Sequence, residues 1–277
     1  MRDVIPFLLV AAALGAGCGG GSESEAEGEP PILDPEPPGA PIAIADGRLT
    51  CLGDNVPAAP DATTLALPGW VRRLSDPTAE QGAPAARVEA FDAEGTSLGT
   101  TFADEVTGRV AVTVPVRDEG FVGFVVATLD GFVDYQLHSS RPYTENTYAG
   151  WAWLMTPEEL ANHAAGAGVV LDPAKAVILG AVHDCDVFGV AGAVVRVAGS
   201  TEGVLYSDGF DIPPDFTFTD ESGRFVAPNV TAGSVVVEAF GRQEEGGPLV
   251  LLSRADVMAV AGAVVAVDLQ PRMRVDR

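Results

Sequence analysis

One pattern is written twice in this chain, and a pattern used twice constrains the fold more than any single motif. The first copy contains LSDPTAEQGAPAARVEAF (Leu74–Phe91), then TFADEVTGRVAVTVP (Thr101–Pro115). The second contains HDCDVFGVAGAVVRV (His183–Val197), then TFTDESGRFVAPNV (Thr217–Val230). Each has an aspartate turn, a small-residue segment and a strand beginning Ala86-Arg87-Val88 or Ala193-Val194-Val195. Thr-Phe-X-Asp, a glycine turn and Gly-Arg follow. Val110, Val112 and Val114 alternate with Arg109, Ala111 and Thr113, the period of a half-buried strand. FVGFVVATL (Phe121–Leu129) reads as a fully covered strand, and Asp130-Gly131 turns the chain into FVDYQL. The second copy offers six strand runs: AVILGAVH, GAVVRVAG, GRFVAP, SVVVEAF, PLVLLS and AVVAVDL. With 32 glycines, 21 prolines and only 7% aromatics, many short strands joined by turns are favoured over long helices.

The second copy carries Gly180, Val182 and Asp184, then Ala191-Gly192-Ala193, Thr219-Asp220-Glu221-Ser222-Gly223-Arg224-Phe225 and Thr231-Ala232-Gly233. At these residues it resembles the carboxypeptidase regulatory-like family, a transthyretin-like sandwich. The first copy departs further: Glu105-Val106-Thr107-Gly108 is one residue longer, and the Gly-X-Val opening is missing. The resemblance implies an all-β fold of two seven-stranded transthyretin-like β-sandwiches, spanning 48–148 and 175–277 and joined by a short helix. Its motifs concern folding, not chemistry. The helix belongs to a linker, 149–174. Thr156 caps it, Pro157 suits its first turn, and Glu159 completes a capping box. Leu160, Ala161, Ala164 and Ala165 are its expected apolar face, and Gly166 or Gly168 ends it.

Ahead of the repeats the chain reads as an address. Val4 to Ala16 is an apolar run of signal-peptide length, too short to cross a bilayer. Gly15, Ala16 and Gly17 lead into Cys18, where the segment resembles the lipobox of bacterial lipoproteins, with its leucine one place early at Leu14. That resemblance implies a signal peptide over 1–17, lipidation of Cys18 and, with Gly19 next, an outer-membrane lipoprotein facing the periplasm or the cell surface. From Gly19 to Asp46 there are seven acidic residues and no basic one, and prolines cluster from Pro30 to Pro41. Residues 18–47 are therefore expected to be a disordered tether, reaching up to ~80 Å at ~3.1 Å per residue. Signal, acidic tether and sandwiches together resemble large lipoproteins of myxobacteria. A net charge of -23 repels phosphate backbones, which excludes nucleic acid as a partner.

Candidate chemistry is sparse. Outside the cytoplasm Cys51 and Cys185 are expected to pair, fastening the start of the first body to the second; two separate buried thiols are the alternative. Trp151 and Trp153 are expected at the junction of the copies, or else as a stacking platform for sugar rings. Tyr206 and Phe210 sit on the loop from Glu202 to Phe216, the natural contact surface. HDCD (His183–Asp186) lacks a second cluster with ligand spacing, so no metal is assigned. Asp208, Asp211 and Asp215 fit no calcium loop. Gly95-Thr96-Ser97-Leu98-Gly99 matches a nucleophile elbow formally but lies where a hairpin is expected. The expectation is a non-enzymatic protein without cofactor. It is held to a membrane by lipid on Cys18 and serves as a structural or adhesion-type module toward an envelope protein or polysaccharide. The alternatives are carbohydrate binding, from similarity to a starch-binding-like fold, and an accessory role beside an extracellular peptidase.

Overall fold

The computed structural model describes residues 43–45, 47–54, 62–75, 82–83, 85–146, 150–208, 212–213 and 216–272, with backbone alone for Gly150 and Trp151. The signal segment, Cys18 and nearly all of the tether lie outside the described residues.

Alternating apolar residues fold the first copy into strands β1 (Thr64–Arg73), β2 (Arg87–Asp92), β3 (Ser97–Phe102), β4 (Arg109–Pro115), β5 (Gly123–Thr128), β6 (Tyr135–Ser139) and β7 (Gly150–Leu154). The second copy forms β8 (Ala176–Val182), β9 (Val194–Val197), β10 (Leu205–Tyr206), β11 (Arg224–Val230), β12 (Gly233–Gly241), β13 (Val250–Ala259) and β14 (Val264–Leu269). All six expected strand runs of the second copy are present. β5 is less covered than FVGFVVATL suggests. Only Ala127 is buried along it, and the residues on both faces are otherwise half-buried.

The order β4-β1-β7 in the first copy recurs as β11-β8-β14 in the second, and β6-β5-β2 recurs as β13-β12-β9. The turns repeat as well. Val71 donates its N–H to Gly108 O, and Val182 does the same to Gly223 O. Ala103 donates to Ala86 O, and Thr219 to Ala193 O. Both glycines have positive φ, +67° and +69°, and a Cβ on either would stand 2.3 Å from the carbonyl it faces. The two Gly-Arg signatures are thus one backbone requirement met twice.

The copies are not two separately closed bodies on a linker. One eight-stranded sheet, β10-β11-β8-β14-β6-β5-β2-β3, runs through both, flanked by the three-stranded sheets β4-β1-β7 and β13-β12-β9. Its seam is a parallel pairing of β14 with β6, Val264 opposite Tyr135 through Asp268 opposite Ser139. Because side chains alternate, β14 serves two cores. Val265, Val267 and Leu269 pack into the second copy's core, and Val264 and Ala266 into the first. The flanking sheets therefore lie over opposite faces of the long sheet.

Helix α1 (Pro157–Gly166) follows β7 with its capping box formed: Thr156 Oγ1 accepts from Glu159 N, and Glu159 Oε2 accepts from Thr156 N. The chain leaves through Ala167 and Gly168, whose φ is +76°. Its apolar face is narrower than expected. Leu160 and Ala164 are half-buried, whereas Ala161 and Ala165 are exposed.

Candidate functional site

Two regions gather polar and aromatic side chains. The first is the outer face of β4-β1-β7. Leu65, Leu67 and Val71 of β1 point into the core, so Trp70 and Arg72 point outward. Arg109 lies opposite Trp70 in register, its guanidinium 5.7 Å from the ring centroid. Trp153 lies opposite Arg72 in the parallel pairing of β1 with β7, outward because Leu154 beside it is buried. None of the three strands contains an acidic residue, although the chain carries a net charge of -23. An aromatic and cationic face on so acidic a protein suits a ligand rich in hydroxyl or carboxylate groups.

The second is the pole where the described residues begin and end. Cys51 and Cys185 form a disulfide closing 134 residues of sequence. Cys51 lies in a segment packed on the second copy: Ile44 enters that copy's core, and Gly53 N donates to Arg272 O. Arg48 pairs with the buried Asp184 at 2.6 Å and donates to Gly189 O at 2.7 Å. Asp184 Oδ1 also accepts from Asp186 and Phe188 N–H. Burial opposes the Asp184 charge, but these donors and Arg48 outweigh it and hold the carboxyl below its ordinary range. His183 bonds Asp268 at 3.0 Å. Burial opposes its charge too, and Asp268 more than compensates, so its pKa lies above the ordinary value. HDCD is thus a tight turn after β8, each of His183, Asp184 and Cys185 taken by a different partner.

Between these regions, a groove of about 210 Å³ runs beside Phe124, His138, Arg141, Asp256 and Met258. Phe91, Phe124 and His138 stack across the sheet, centroids 5.2 and 4.7 Å apart and nearly parallel. That spacing matches the distance between strands, so the rings stand upright and spend their faces on one another. The stack supports the sheet.

Of the other residues singled out in the sequence, Tyr206 is buried. Its hydroxyl accepts from Val195 N at 2.9 Å, which makes it a core side chain rather than a surface contact. Phe210, Asp211 and Asp215 lie outside the described residues, as does the side chain of Trp151. Ser97 lies in the β2–β3 hairpin and donates to the Glu89 carboxylate, so the GTSLG match is a turn, with Gly95 at φ +81°. Nothing in the sequence singles out Trp70 and Arg109 as site residues. The available signal was the alternation along TLALPGWVRR, which places Trp70 opposite the leucines.

Comparison with protein families finds no match, and neither does comparison with curated proteins. Among solved structures, the TIE protein of Bacillus anthracis is similar at 10% identity and a TM-score of 0.25, over 76% of this chain and 34% of that one. GBS52, the minor pilin of Streptococcus agalactiae, is similar at 10% identity and a TM-score of 0.21, over 77% of this chain and 97% of that one. The chain spans about a third of the TIE protein's length.

Proposed function

We propose that this protein is an exported, lipid-anchored binding module, non-catalytic and adhesion-type. In this reading the body consists of two fused transthyretin-like sandwiches, held off a membrane by an acidic tether from Cys18. The observation that carries it is the face of β4-β1-β7 turned away from the core, where half-buried Trp70, Arg72 and Trp153 and exposed Arg109 lie on strands that contain no acidic residue. The Cys51–Cys185 disulfide supports export, because such bonds persist in oxidising compartments. The same face favours a second reading, a polysaccharide ligand: tryptophan rings stack on sugars, and arginine recognises carboxylates.

Two measurements test this. Intact mass of protein from membranes should show acylation at Cys18; an unmodified thiol there on a released product overturns the anchor. Polysaccharide pull-down and crosslinking in intact cells should both lose at least ~90% of capture in a Trp70→Ala/Trp153→Ala variant that melts as the parent does, since an aromatic hot-spot residue is worth about 2 kcal/mol or more. Undiminished capture overturns the assignment of the face. Capture of proteins but no polysaccharide favours the adhesion reading.

A further inference from the structure

The surroundings of the disulfide differ from those of an inert staple. Arg141, just after β6, places Nη2 3.3 Å from Cys51 Sγ. Its Nε and Nη2 are held by Pro271 O at 2.9 and 2.7 Å, so the guanidinium stays in place whatever the state of the sulfur. That partner is a carbonyl oxygen, and among the described residues no ion pair is made to Arg141, although Asp268 lies near enough to favour its charge. Of the carboxylates nearby, Asp184 pairs with Arg48, and Asp268 lies 3.0 Å from His183. The other sulfur has its own donor: Cys51 N–H lies 2.9 Å from Cys185 Sγ. Each sulfur is therefore prepared to carry negative charge. Cys185 is half-buried, and Asp186, Val187 and Phe188 after it are exposed. Val187 is held at φ +66°, a strained conformation for a β-branched residue, in the turn pinned by Asp184.

We propose that Cys51–Cys185 is a thiol–disulfide exchange site whose substrate is an extracytoplasmic thiol or dithiol. An incoming thiolate attacks Cys185 Sγ and forms a new S–S bond. The Cys51–Cys185 bond breaks, and Cys51 leaves with the electron pair as a thiolate beside Arg141. With a dithiol, its second thiolate then attacks its own sulfur in the mixed disulfide and releases Cys185. Two electrons have passed to the protein, and the dithiol has become a disulfide. The leaving group decides the direction, because the better-stabilised thiolate departs faster. Reduction removes the covalent link between Cys51 and the second copy, while the Arg48–Asp184 pair, the Gly53 to Arg272 bond and the strand pairings remain. This inference does not depend on the ligand of the outer face or on the lipid.

The test uses the full chain in glutathione redox buffers. Arg141→Gln should shift the equilibrium about tenfold toward the disulfide, and Arg141→Lys should stay near the parent, because a positive neighbour stabilises the thiolate. Peptide mapping of the trapped parent adduct should place glutathione on Cys185 with Cys51 free. Glutathione mainly on Cys51 overturns the proposal, and so does an Arg141→Gln equilibrium within about twofold of the parent. Should Arg141→Gln fail to fold, the mapping on the parent protein decides alone.

Discussion

His138 shows what one side chain can cost a fold. It is buried on β6, its Nε2 has no hydrogen-bond partner among the described residues, and burial pushes its pKa down to about 4. It stays neutral in the folded state, while the unfolded chain takes up a proton near pH 6.5. Stability is therefore complete above about pH 6.5 and falls as pH drops toward 4, by up to about 3 kcal/mol for a shift of this size. His183 works in the opposite direction. Its raised pKa contributes stability below its ordinary value of 6.5 that is lost as pH rises through the folded value. Urea midpoints at pH 7 and pH 4.5 should separate the two. His138→Phe, which keeps the stack on Phe124, should lose less stability on acidification than the parent; equal losses would refute the role given to His138. Neither behaviour was legible in the sequence, where a histidine carries no mark of its burial.

At the scale of elements, local chemistry decided most of the outcome. Asp104 Oδ1 accepts from Val106 and Thr107 N–H, and Asp220 Oδ1 accepts from Ser222 N–H, so each glycine turn is wound by an aspartate written into the repeat. The left-handed conformation at Gly223 and the carbonyl behind it leave no room for a Cβ. Gly223→Ala should cost about 1–3 kcal/mol from the backbone alone, more with the clash, read as a lower melting temperature. Helix α1 is different, because it buries no residue and rests on its cap. Thr156→Ala should weaken the helix by about 1 kcal/mol. Amide exchange across α1 should quicken accordingly while the global melt barely moves, since the helix opens locally.

At the scale of the whole body, the two copies share one sheet. Ala266 and Val264 belong to a strand of the second copy yet fill the core of the first, and the β14–β6 seam joins the two. Calorimetry should give one cooperative transition for the folded body. Ala266→Glu, which places a charge in the first copy's core from the second copy's strand, should lower that single transition by many degrees. Two resolved transitions, of which the substitution moves one, would show the copies to be independent.

The repeat, the period-two runs, the aspartate–glycine turns and the capping box were all decided within ten or so residues of chain. Such features follow from backbone sterics and local hydrogen bonds, so the strands, the hairpin at Gly95 and the start of α1 could be read directly. The pairing of β14 with β6, the placing of Trp70 beside Arg109 on one face, the burial of Tyr206 and the placing of Arg141 beside Cys51 depend on segments far apart in the chain. Only tertiary structure decided them, because alternation says that a strand has two faces and not what will cover either.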